Sequence, residues 1–436
     1  MPESDWKDRE LHFVAIGGAG MSALALVAAH LGATVTGSDR AESSYLERLR
    51  AAGLEPRLEH DANAVPERAE VVVSTAVAED NPELVRARER GQRVVHRGEL
   101  LAEVCELRRP IAVAGTHGKT TTAGMLVHAL QAVGADPSFL LGGELPGAGP
   151  GGATTNAGWG EGEWIVVEAD ESDASFLRLR PEVAVVTNVE LDHHSRWSSR
   201  GELFEAFWAF TRPAEALALH VDPALDPLAG EQRVTRFDER RPGPQLALEV
   251  PGRHNLVNAR AALAALELAG FELEPAGRAL DRFPGMLRRL ELKGRREGAL
   301  VYDDYAHHPT EVRAALEALR ELEPRRLIAV FQPHLYSRTR ALATEFGAAL
   351  ADADEIGVLD VYPAREQPVG PLAGVSGLDV ARAAADRGAG KPVWWLRDPQ
   401  TAARALSSRL GEGDLLVTLG AGDIFQLADT LVGGDD

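Results

Sequence analysis

Short apolar runs alternate along this chain with longer stretches in which apolar residues recur every three or four positions. The short runs are typical of buried strands, and the longer spacing is typical of helices packed against a sheet. Near the start, LHFVAI and ATVTGSD predict strands, and MSALALVAAHLG between them predicts a helix that ends at Gly32. This strand–helix alternation predicts a parallel sheet with crossover helices.

The same alternation occurs twice more, which predicts three α/β domains in series. A second series begins at IAVAG after Pro110, where ELRRP is expected to be a linker, and a third follows the Pro-Gly break in FPGM. The fold class is therefore three α/β domains: Rossmann-like over residues 1–108, a central P-loop ATPase-like parallel sheet over 109–282, and Rossmann-like again over 283–436. The glycine-rich stretch 141–163 is predicted to be a mobile surface loop.

Composition narrows the class of protein without identifying it. The 436 residues are 45% hydrophobic and 26% charged, which is ordinary for a soluble globular protein. The formal net charge of -20 disfavours sequence-independent binding to nucleic acid or to an anionic membrane. The single cysteine, the polar N-terminus and the lack of an apolar run near the roughly 20 residues that span a bilayer favour a cytoplasmic protein.

The stretch VAGTHGKTTT (Val113–Thr122) joins a predicted strand to a predicted helix through a glycine turn. Such a turn offers free backbone N–H groups at the positive end of a helix, which phosphate binding requires. Lys119 would reach the β- and γ-phosphates, and the Thr120 hydroxyl would contact Mg²⁺. The loop is shorter than the standard pattern, and the alternative is a plain turn with an incidental lysine.

A second glycine loop, GGAGMSA, follows the first predicted strand. Gly18, Gly20 and Ala23 satisfy the dinucleotide-binding fingerprint, and Asp39 follows at the end of the second strand. The residues of this fingerprint bind a diphosphate and a sugar hydroxyl, and both NAD and a UDP-sugar contain these groups. A tight turn with no ligand is the third interpretation.

Acidic and histidine side chains follow two predicted strands of the central series. EADESDASF contributes Glu168, Asp170 and further carboxylates, and NVELDHHS contributes Glu190 and His193. Ligands of open parallel sheets bind beyond the carboxyl ends of the strands. Carboxylates near a triphosphate suit Mg²⁺, whereas solvated acidic turns are the alternative interpretation.

Taken together, the motifs resemble the Mur ligase family of peptidoglycan synthesis, and most of all its alanine-adding members. The strings that carry the resemblance, in chain order, are GGAGMS, GTHGKTTT, EADESDASF, TNVELDHH, GRHN, DDYAHHPTEV, FQPH and LGAGDI. They extend from Gly17 to about Ile424. The family's ATP loop is shorter than the standard phosphate loop, which accounts for the spacing in this chain.

The resemblance implies an activity, its substrates and its cofactors. The lactyl carboxylate of UDP-N-acetylmuramate would attack the γ-phosphate of ATP with Mg²⁺ present, and the amine of L-alanine would then displace phosphate from the acyl phosphate. It implies no nucleic-acid or membrane partner, and a monomer or homodimer. Three alternatives remain: a ligase that recycles a murein tripeptide, an NAD-dependent oxidoreductase, and a nucleotide-binding regulator without turnover.

The resemblance also implies roles for individual residues. The catalytic residues would be Lys119, His193, His308 and Arg338. The ATP-binding residues would be Gly115, Thr116, His117, Gly118, Lys119, Thr120, Thr121, His254, Asn255, Asn258 and Asp304. The substrate-binding residues would be Gly17, Gly18, Ala19, Gly20, Met21, Ser22, Ser38, Asp39, Ser74, Glu171, Ser172, Asp173, His308 and Arg338. The Mg²⁺ ligands would be Thr120, Glu168 and His193. One departure is Leu335, which stands where many family members carry a basic residue.

Overall fold

The computed structural model describes residues 3–191, 196–364 and 366–433, and in these ranges strands alternate with helices in three separate sheets. By its contacts the chain divides into two compact units. Unit 1 comprises Met1–Leu248 and Leu256–Pro284, and unit 2 comprises Glu249–Asn255 and Gly285–Asp436. Unit 1 contains the first two sheets and unit 2 contains the third. The predicted α/β fold class is confirmed, and the domain boundaries stay predictions.

The first sheet has four parallel strands in the order β2-β1-β3-β4. These strands are β1 (Glu10–Val14), β2 (Thr34–Ser38), β3 (Glu70–Val73) and β4 (Val94–His96). The accompanying helices are α1 (Ala19–His30), α2 (Ser44–Ala51), α3 (Pro82–Glu89) and α4 (Arg97–Cys105). Because β2 and β3 flank β1 on opposite sides, the loop after β1 lies at the switch point, where parallel sheets bind ligands.

The second sheet has seven strands in the order β11-β10-β9-β5-β8-β6-β7, and only the β6–β7 pair is antiparallel. Its strands are β5 (Arg109–Ala114), β6 (Ser138–Leu145), β7 (Thr155–Gly158), β8 (Trp164–Glu168), β9 (Val183–Val186), β10 (Ala216–His220) and β11 (Arg233–Phe237). The helices that follow these strands are α5 (Lys119–Ala132), α6 (Arg200–Thr211), α7 (Arg253–Leu268) and α8 (Leu273–Leu280). β5 lies between β8 and β9, so all three strand ends meet at one edge.

The expectation of a loop over the whole of residues 141–163 is wrong in part. Part of this stretch forms the end of β6 and the whole of β7. Asn156 in β7 is fully buried, and its Nδ2 donates hydrogen bonds to the Ala19 carbonyl (2.9 Å) and to Ser22 Oγ (3.2 Å). The composition hid this strand because glycine and asparagine are depleted in strands generally.

One continuous hydrophobic core joins the first two sheets. It includes Phe13 and Leu24 from the first sheet layer, and Leu140, Val167 and Phe207 from the second. Helix α1 packs against β6 and β7. The expected linker ELRRP is shorter than predicted, because residues 106–108 lie between α4 and β5 whereas Arg109 and Pro110 belong to β5.

The third sheet has six strands in the order β12-β13-β17-β14-β15-β16, antiparallel only between β12 and β13. Its strands are β12 (Glu291–Arg296), β13 (Ala299–Asp304), β14 (Arg326–Phe331), β15 (Glu355–Leu359), β16 (Val393–Arg397) and β17 (Asp414–Leu419). Its helices are α9 (Pro309–Arg320), α10 (Tyr336–Leu350), α11 (Gly377–Arg387), α12 (Pro399–Ser407) and α13 (Phe425–Val432).

Side chains along β14 alternate between two cores, as the period of two in a strand requires. Leu327, Ala329 and Phe331 contribute to the core that includes α9, α10 and α11, whereas Ile328 and Val330 contribute to the core that includes α12 and α13. The third sheet is therefore covered by helices on both faces. Short 3₁₀ helices occur at Glu3–Asp8, Ala62–Ala64, Pro150–Gly152, Ser175–Arg178, Pro223–Leu228 and Gly370–Leu372. None of the described helices is both long and apolar enough to cross a bilayer.

Candidate functional site

The phosphate loop connects β5 to α5 at the middle of the second sheet. Gly115 has φ 140° and Gly118 has φ 82°, backbone conformations that side chains other than glycine rarely adopt. A Cβ on Gly115 would lie 1.9 Å from Thr187 Oγ1, and one on Gly118 would lie 2.6 Å from Asn258 Oδ1. The loop thus needs glycine at both positions, and Asn258, predicted to bind ATP, lies against it.

Residues that follow β9 hold this loop in place. Thr116 Oγ1 donates to the Glu190 carbonyl (2.9 Å), and the His117 N–H donates to Asn188 Oδ1 (2.9 Å). Thr187 Oγ1 donates to the His117 carbonyl at 2.6 Å. The loop's shape is therefore fixed by the neighbouring strand end as well as by its own glycines.

Lys119 is the first residue of α5, and its ammonium group is bound on several sides. Nζ donates to Glu171 Oε2 (2.9 Å) and to the carbonyls of Gly115 (2.5 Å) and Thr116 (3.3 Å). Burial alone would lower the pKa of Lys119, but the charges of Glu171 and Asp170 outweigh it and raise the pKa. Lys119 is thus cationic and preorganised beside the loop. Glu171, expected to bind substrate, here holds this lysine.

Thr120 and Glu168 converge on one point at the end of β8. Thr120 Oγ1 donates to Glu168 Oε2 at 3.0 Å, and the Gly142 N–H donates to Glu168 Oε1 at 2.5 Å. Two hard oxygen donors of this kind fit Mg²⁺. His193, the third predicted ligand, lies outside the described residues. Thr121, next along α5, is 8% exposed.

Arg97, at the start of α4, is a functional candidate that the sequence analysis missed. Its Nη2 donates to Asp170 Oδ2 (2.8 Å) and Asp173 Oδ2 (2.7 Å), and its Nε donates to Asp173 Oδ2 (2.9 Å). Burial opposes the charged form, but the two carboxylates raise the pKa of Arg97, and its charge holds the pKa of Asp170 well below its usual range despite burial. The Ser172 N–H also donates to Asp170 Oδ1 at 3.0 Å.

A cavity of about 260 Å³ brings residues of both glycine loops together. One side is formed by Ala19 and Gly20 of the first loop, and another by Lys119, Thr120 and Glu168. Apolar side chains complete the wall, namely Ala23, Leu24, Leu101, Leu140 and Leu141. Arg97 and Asp170 also line it. The predicted nucleotide-sugar and triphosphate loops therefore open into one space within unit 1.

The Asp39 carboxylate, at the end of β2, holds the first glycine loop by a hydrogen bond. The Gly17 N–H donates to Asp39 Oδ2 at 2.8 Å, and the Arg40 N–H donates to Asp39 Oδ1 at 2.7 Å. Gly18 precedes α1 as its N-cap, and Ser22 Oγ donates to the Ala19 carbonyl at 3.0 Å. The N-terminus of α1 is thus positioned at the switch point of the first sheet, as a diphosphate site requires.

Three other predicted substrate residues differ in how they are placed. Ser38 is fully buried, and its hydroxyl donates to Glu83 Oε2 (2.5 Å) and lies 2.7 Å from His60 Nδ1, so its side chain faces the interior. Ser74 follows β3, next to the switch point, and its Oγ accepts from the Ala76 N–H. Met21 is 4% exposed and belongs to the core.

The remaining predicted residues lie in unit 2. Burial and the nearby charge of Arg289 lower the pKa of His254 to about 4, which leaves its imidazole neutral at neutral pH. Asn255 Nδ2 donates to the Pro251 carbonyl at 2.7 Å. Asp304 accepts hydrogen bonds from the N–H groups of Leu290 and Ala306, both at 2.7 Å, so each of its carboxylate oxygens binds a backbone N–H group.

His308 and Arg338 each occupy the start of a helix in unit 2. His308 is the N-cap of α9, where its Nδ1 accepts from the Thr310 N–H at 3.4 Å. Arg338 lies in the first turn of α10 and is 9% exposed. Leu335 immediately precedes α10 with φ 69°. The roles expected of His308 and Arg338 stay predictions.

The phosphate loop, the bound lysine and the oxygen pair at its end define an enzyme of the nucleoside-triphosphate-dependent class. Three family models match the chain: the Mur ligase family catalytic domain over residues 10–109, the Mur ligase middle domain over 113–239, and the Mur ligase glutamate ligase domain over 288–422. The chain belongs to the Mur ligase family, which confirms the assignment made from the motifs.

Individual relatives cover nearly the whole chain. A UDP-N-acetylmuramate–L-alanine ligase of Streptomyces coelicolor is 43% identical, over 97% of this chain and 96% of the relative. The crystal structure of the UDP-N-acetylmuramate–alanine ligase of Thermotoga maritima superposes with a TM-score of 0.82 at 28% identity, covering 98% of each chain. A MurF ligase of Thermotoga maritima, crystallised in complex with ADP, shares the fold with a TM-score of 0.61 at 16% identity, over 87% of this chain and 98% of that one.

Proposed function

We propose that this enzyme joins L-alanine to the lactyl carboxylate of UDP-N-acetylmuramate in peptidoglycan precursor synthesis, with ATP converted to ADP and phosphate. The observation that carries the proposal is the shared cavity, into which Gly20 of the nucleotide-sugar loop and Lys119 of the phosphate loop both open. The relative of Streptomyces coelicolor, 43% identical over almost its full length, carries the same activity in its name.

The chemistry takes place in two steps. A carboxylate oxygen of the nucleotide sugar attacks the γ-phosphorus of ATP, the bond from that phosphorus to the β-phosphate oxygen breaks, and ADP leaves. The amine of L-alanine then attacks the acyl carbon of the acyl phosphate, inorganic phosphate leaves, and the amine gives up a proton. Phosphoryl transfer of this kind depends mainly on positioning and on neutralising charge.

In this proposal Lys119 supplies the side-chain cation of the phosphate loop. Glu171 holds the Nζ group at 2.9 Å, so the lysine is already directed along the loop before a nucleotide arrives. The N–H groups at the start of α5 add partial positive charge. Asn258, whose side chain lies against Gly118, would contact the nucleotide bound there.

Mg²⁺ is the cation that the donor set at the end of β8 fits. Thr120 Oγ1 and Glu168 Oε2 would hold it, and carboxylate and hydroxyl oxygens are the donors that Mg²⁺ takes in phosphate sites. When bound, the ion would add positive charge beside the β- and γ-phosphates. Around this point Glu171 binds Lys119, Asp170 and Asp173 bind Arg97, and Glu168 accepts from the Thr120 hydroxyl.

The experiment that tests this function is a phosphate-release assay on the purified protein. We expect release only when ATP, Mg²⁺, UDP-N-acetylmuramate and an amino acid are all present, with L-alanine more effective than glycine, L-serine or the murein tripeptide. Release with the tripeptide and none with L-alanine would instead indicate the recycling ligase. Binding of NADH without binding of UDP-N-acetylmuramate would indicate an oxidoreductase.

A further inference from the structure

One nitrogen of the Arg97 guanidinium group, Nη1, does not donate to the carboxylates that bind the other two nitrogens. Nε and Nη2 donate to Asp170 and Asp173 at 2.7–2.9 Å. Within the described residues, Nη1 makes no hydrogen bond to another protein atom. The Arg97 side chain retains 21% exposure, and it lines the cavity. A pair of N–H donors is therefore directed away from the acidic partners.

The unused nitrogen lies next to the first glycine loop. A Cβ on Gly20 would lie 2.9 Å from Arg97 Nη1, so this nitrogen occupies the space beside a glycine of the fingerprint. That fingerprint brings a diphosphate close to the backbone. Of the residues that line the cavity, Arg97 and Lys119 are the cations, and Lys119 is held by Glu171. Arg97 is thus the cation that faces the first loop.

Two carboxylates make Arg97 a rigid donor. Asp173 is 4% exposed and accepts from both Nε and Nη2, which fixes the plane of the guanidinium group. Asp173 is in turn held by the Ser175 N–H at 3.0 Å. A side chain fixed in this way loses little freedom when it binds an anion, and a planar guanidinium matches phosphate oxygens well.

We propose that Arg97 Nη1 binds the diphosphate of the nucleotide sugar, and that Asp170 and Asp173 hold Arg97 in place for that contact. The inference rests on the proposed function, which supplies the nucleotide sugar, and it adds a residue that neither glycine motif contains. The same two carboxylates lie in the loop that also carries Glu171, whose ion pair with Lys119 is separate from theirs with Arg97.

The test uses Arg97→Lys and Arg97→Ala in the full chain, with Arg178→Ala as the matched control. Arg178 is 49% exposed, and its Nη1 lies 3.6 Å from Glu99 Oε1. Dissociation constants are measured by calorimetry for UDP-N-acetylmuramate without ATP, and separately for a non-hydrolysable MgATP analogue. UDP and UDP-N-acetylglucosamine are then measured as competitors of UDP-N-acetylmuramate.

We expect both Arg97 variants to weaken UDP-N-acetylmuramate binding by roughly 10- to 100-fold, the usual effect of losing a hydrogen bond from a charged group. UDP and UDP-N-acetylglucosamine should weaken by a similar factor, because they share the diphosphate. Binding of the MgATP analogue should change little, and this also shows that the variants are folded. If Arg97→Ala does not fold, Arg97→Lys carries the test, since it keeps a cation beside the two aspartates.

Several results would overturn the proposal. Unchanged nucleotide-sugar binding in both variants would mean that Arg97 only supports the acidic loop, and so would an equal loss of MgATP binding. Weaker binding of UDP-N-acetylmuramate alone, with UDP and UDP-N-acetylglucosamine unaffected, would indicate that Arg97 contacts the lactyl carboxylate instead of the diphosphate. If the unmodified protein did not bind UDP-N-acetylmuramate, the proposed function itself would be wrong, and this inference would be wrong with it.

Discussion

Substituting the two glycines of the phosphate loop should give unequal effects, although both have positive φ. Gly118→Ala places a methyl group 2.6 Å from the end of the Asn258 side chain, which can rotate away. Gly115→Ala places it 1.9 Å from Thr187 Oγ1 and 3.2 Å from the backbone N and O of Asn188. Backbone atoms that follow β9 cannot move aside without disturbing the sheet.

The expected free energies follow from these contacts. An alanine at φ 82° costs about 1–2 kcal/mol of unfolding free energy from its backbone alone, and this should be nearly the whole effect of Gly118→Ala. At Gly115 the steric overlap adds about 1–3 kcal/mol, the range for inserting a methyl group into a packed site. Turning Thr187 away would relieve part of the overlap but break its hydrogen bond to the His117 carbonyl.

Gly53 provides the matched control, because it has φ 83° and no atom within 4 Å of a Cβ placed on it. Urea denaturation of the three alanine variants should give similar losses for Gly53→Ala and Gly118→Ala and a clearly larger loss for Gly115→Ala. Adding Thr187→Ala to Gly115→Ala should recover part of that difference. Calorimetry with a MgATP analogue should show binding lost in Gly115→Ala and retained in Gly53→Ala. Equal stability of the Gly115 and Gly118 variants would refute the reasoning.

Three further predictions concern charged groups. Lys119→Ala should lower phosphate release by roughly 10²–10³-fold or more, since it removes a charge-stabilising group, and near-normal release by a folded variant would exclude this loop from catalysis. Glu168→Gln should move the Mg²⁺ titration of activity to higher concentration, because an amide is a poorer ligand, and an unchanged curve would place the metal elsewhere. Burial raises the pKa of Asp304 to about 6, above its unfolded value of about 3.9, so its contribution to unfolding free energy should fall as pH rises from about 4 to about 6. Compared over that range, Asp304→Asn should lack this decrease, and parallel pH curves for the two proteins would contradict it.

The strands with continuous apolar runs could be predicted from the sequence because burial on both faces of a parallel sheet leaves an unmistakable pattern. LHFVAI predicted β1 (Glu10–Val14), and IAVAG predicted β5 (Arg109–Ala114). β7 could not be predicted, because TNAG contains neither an apolar run nor an alternating pattern. β12 was missed for a similar reason, since its residues ELKGRR are mostly polar and it is an edge strand.

The motif residues of the phosphate loop were predictable because their spacing is local. Lys119, Thr120 and Glu168 come together where strand ends meet, as the order of a parallel sheet requires. Arg97 was missed because it follows β4 in a different sheet, and only the packing of that sheet brings it to Asp170. The hydroxyl partner of Ser38 could not be predicted either, because Glu83, to which it donates, follows a different strand of the first sheet.

The buried amide of Asn156 has a consequence for how such enzymes can be recombined. A chimaera joined at residue 108 would combine a foreign α1 with the resident β7, and the hydrogen bonds from Asn156 to Ala19 and Ser22 would have to form between sequences never selected together. The core shared by the two sheets would be divided at the same junction. Exchange between relatives should therefore succeed when unit 1 is transferred whole. The part of the chain that must be exchanged to transfer nucleotide-sugar specificity extends well beyond the first glycine loop.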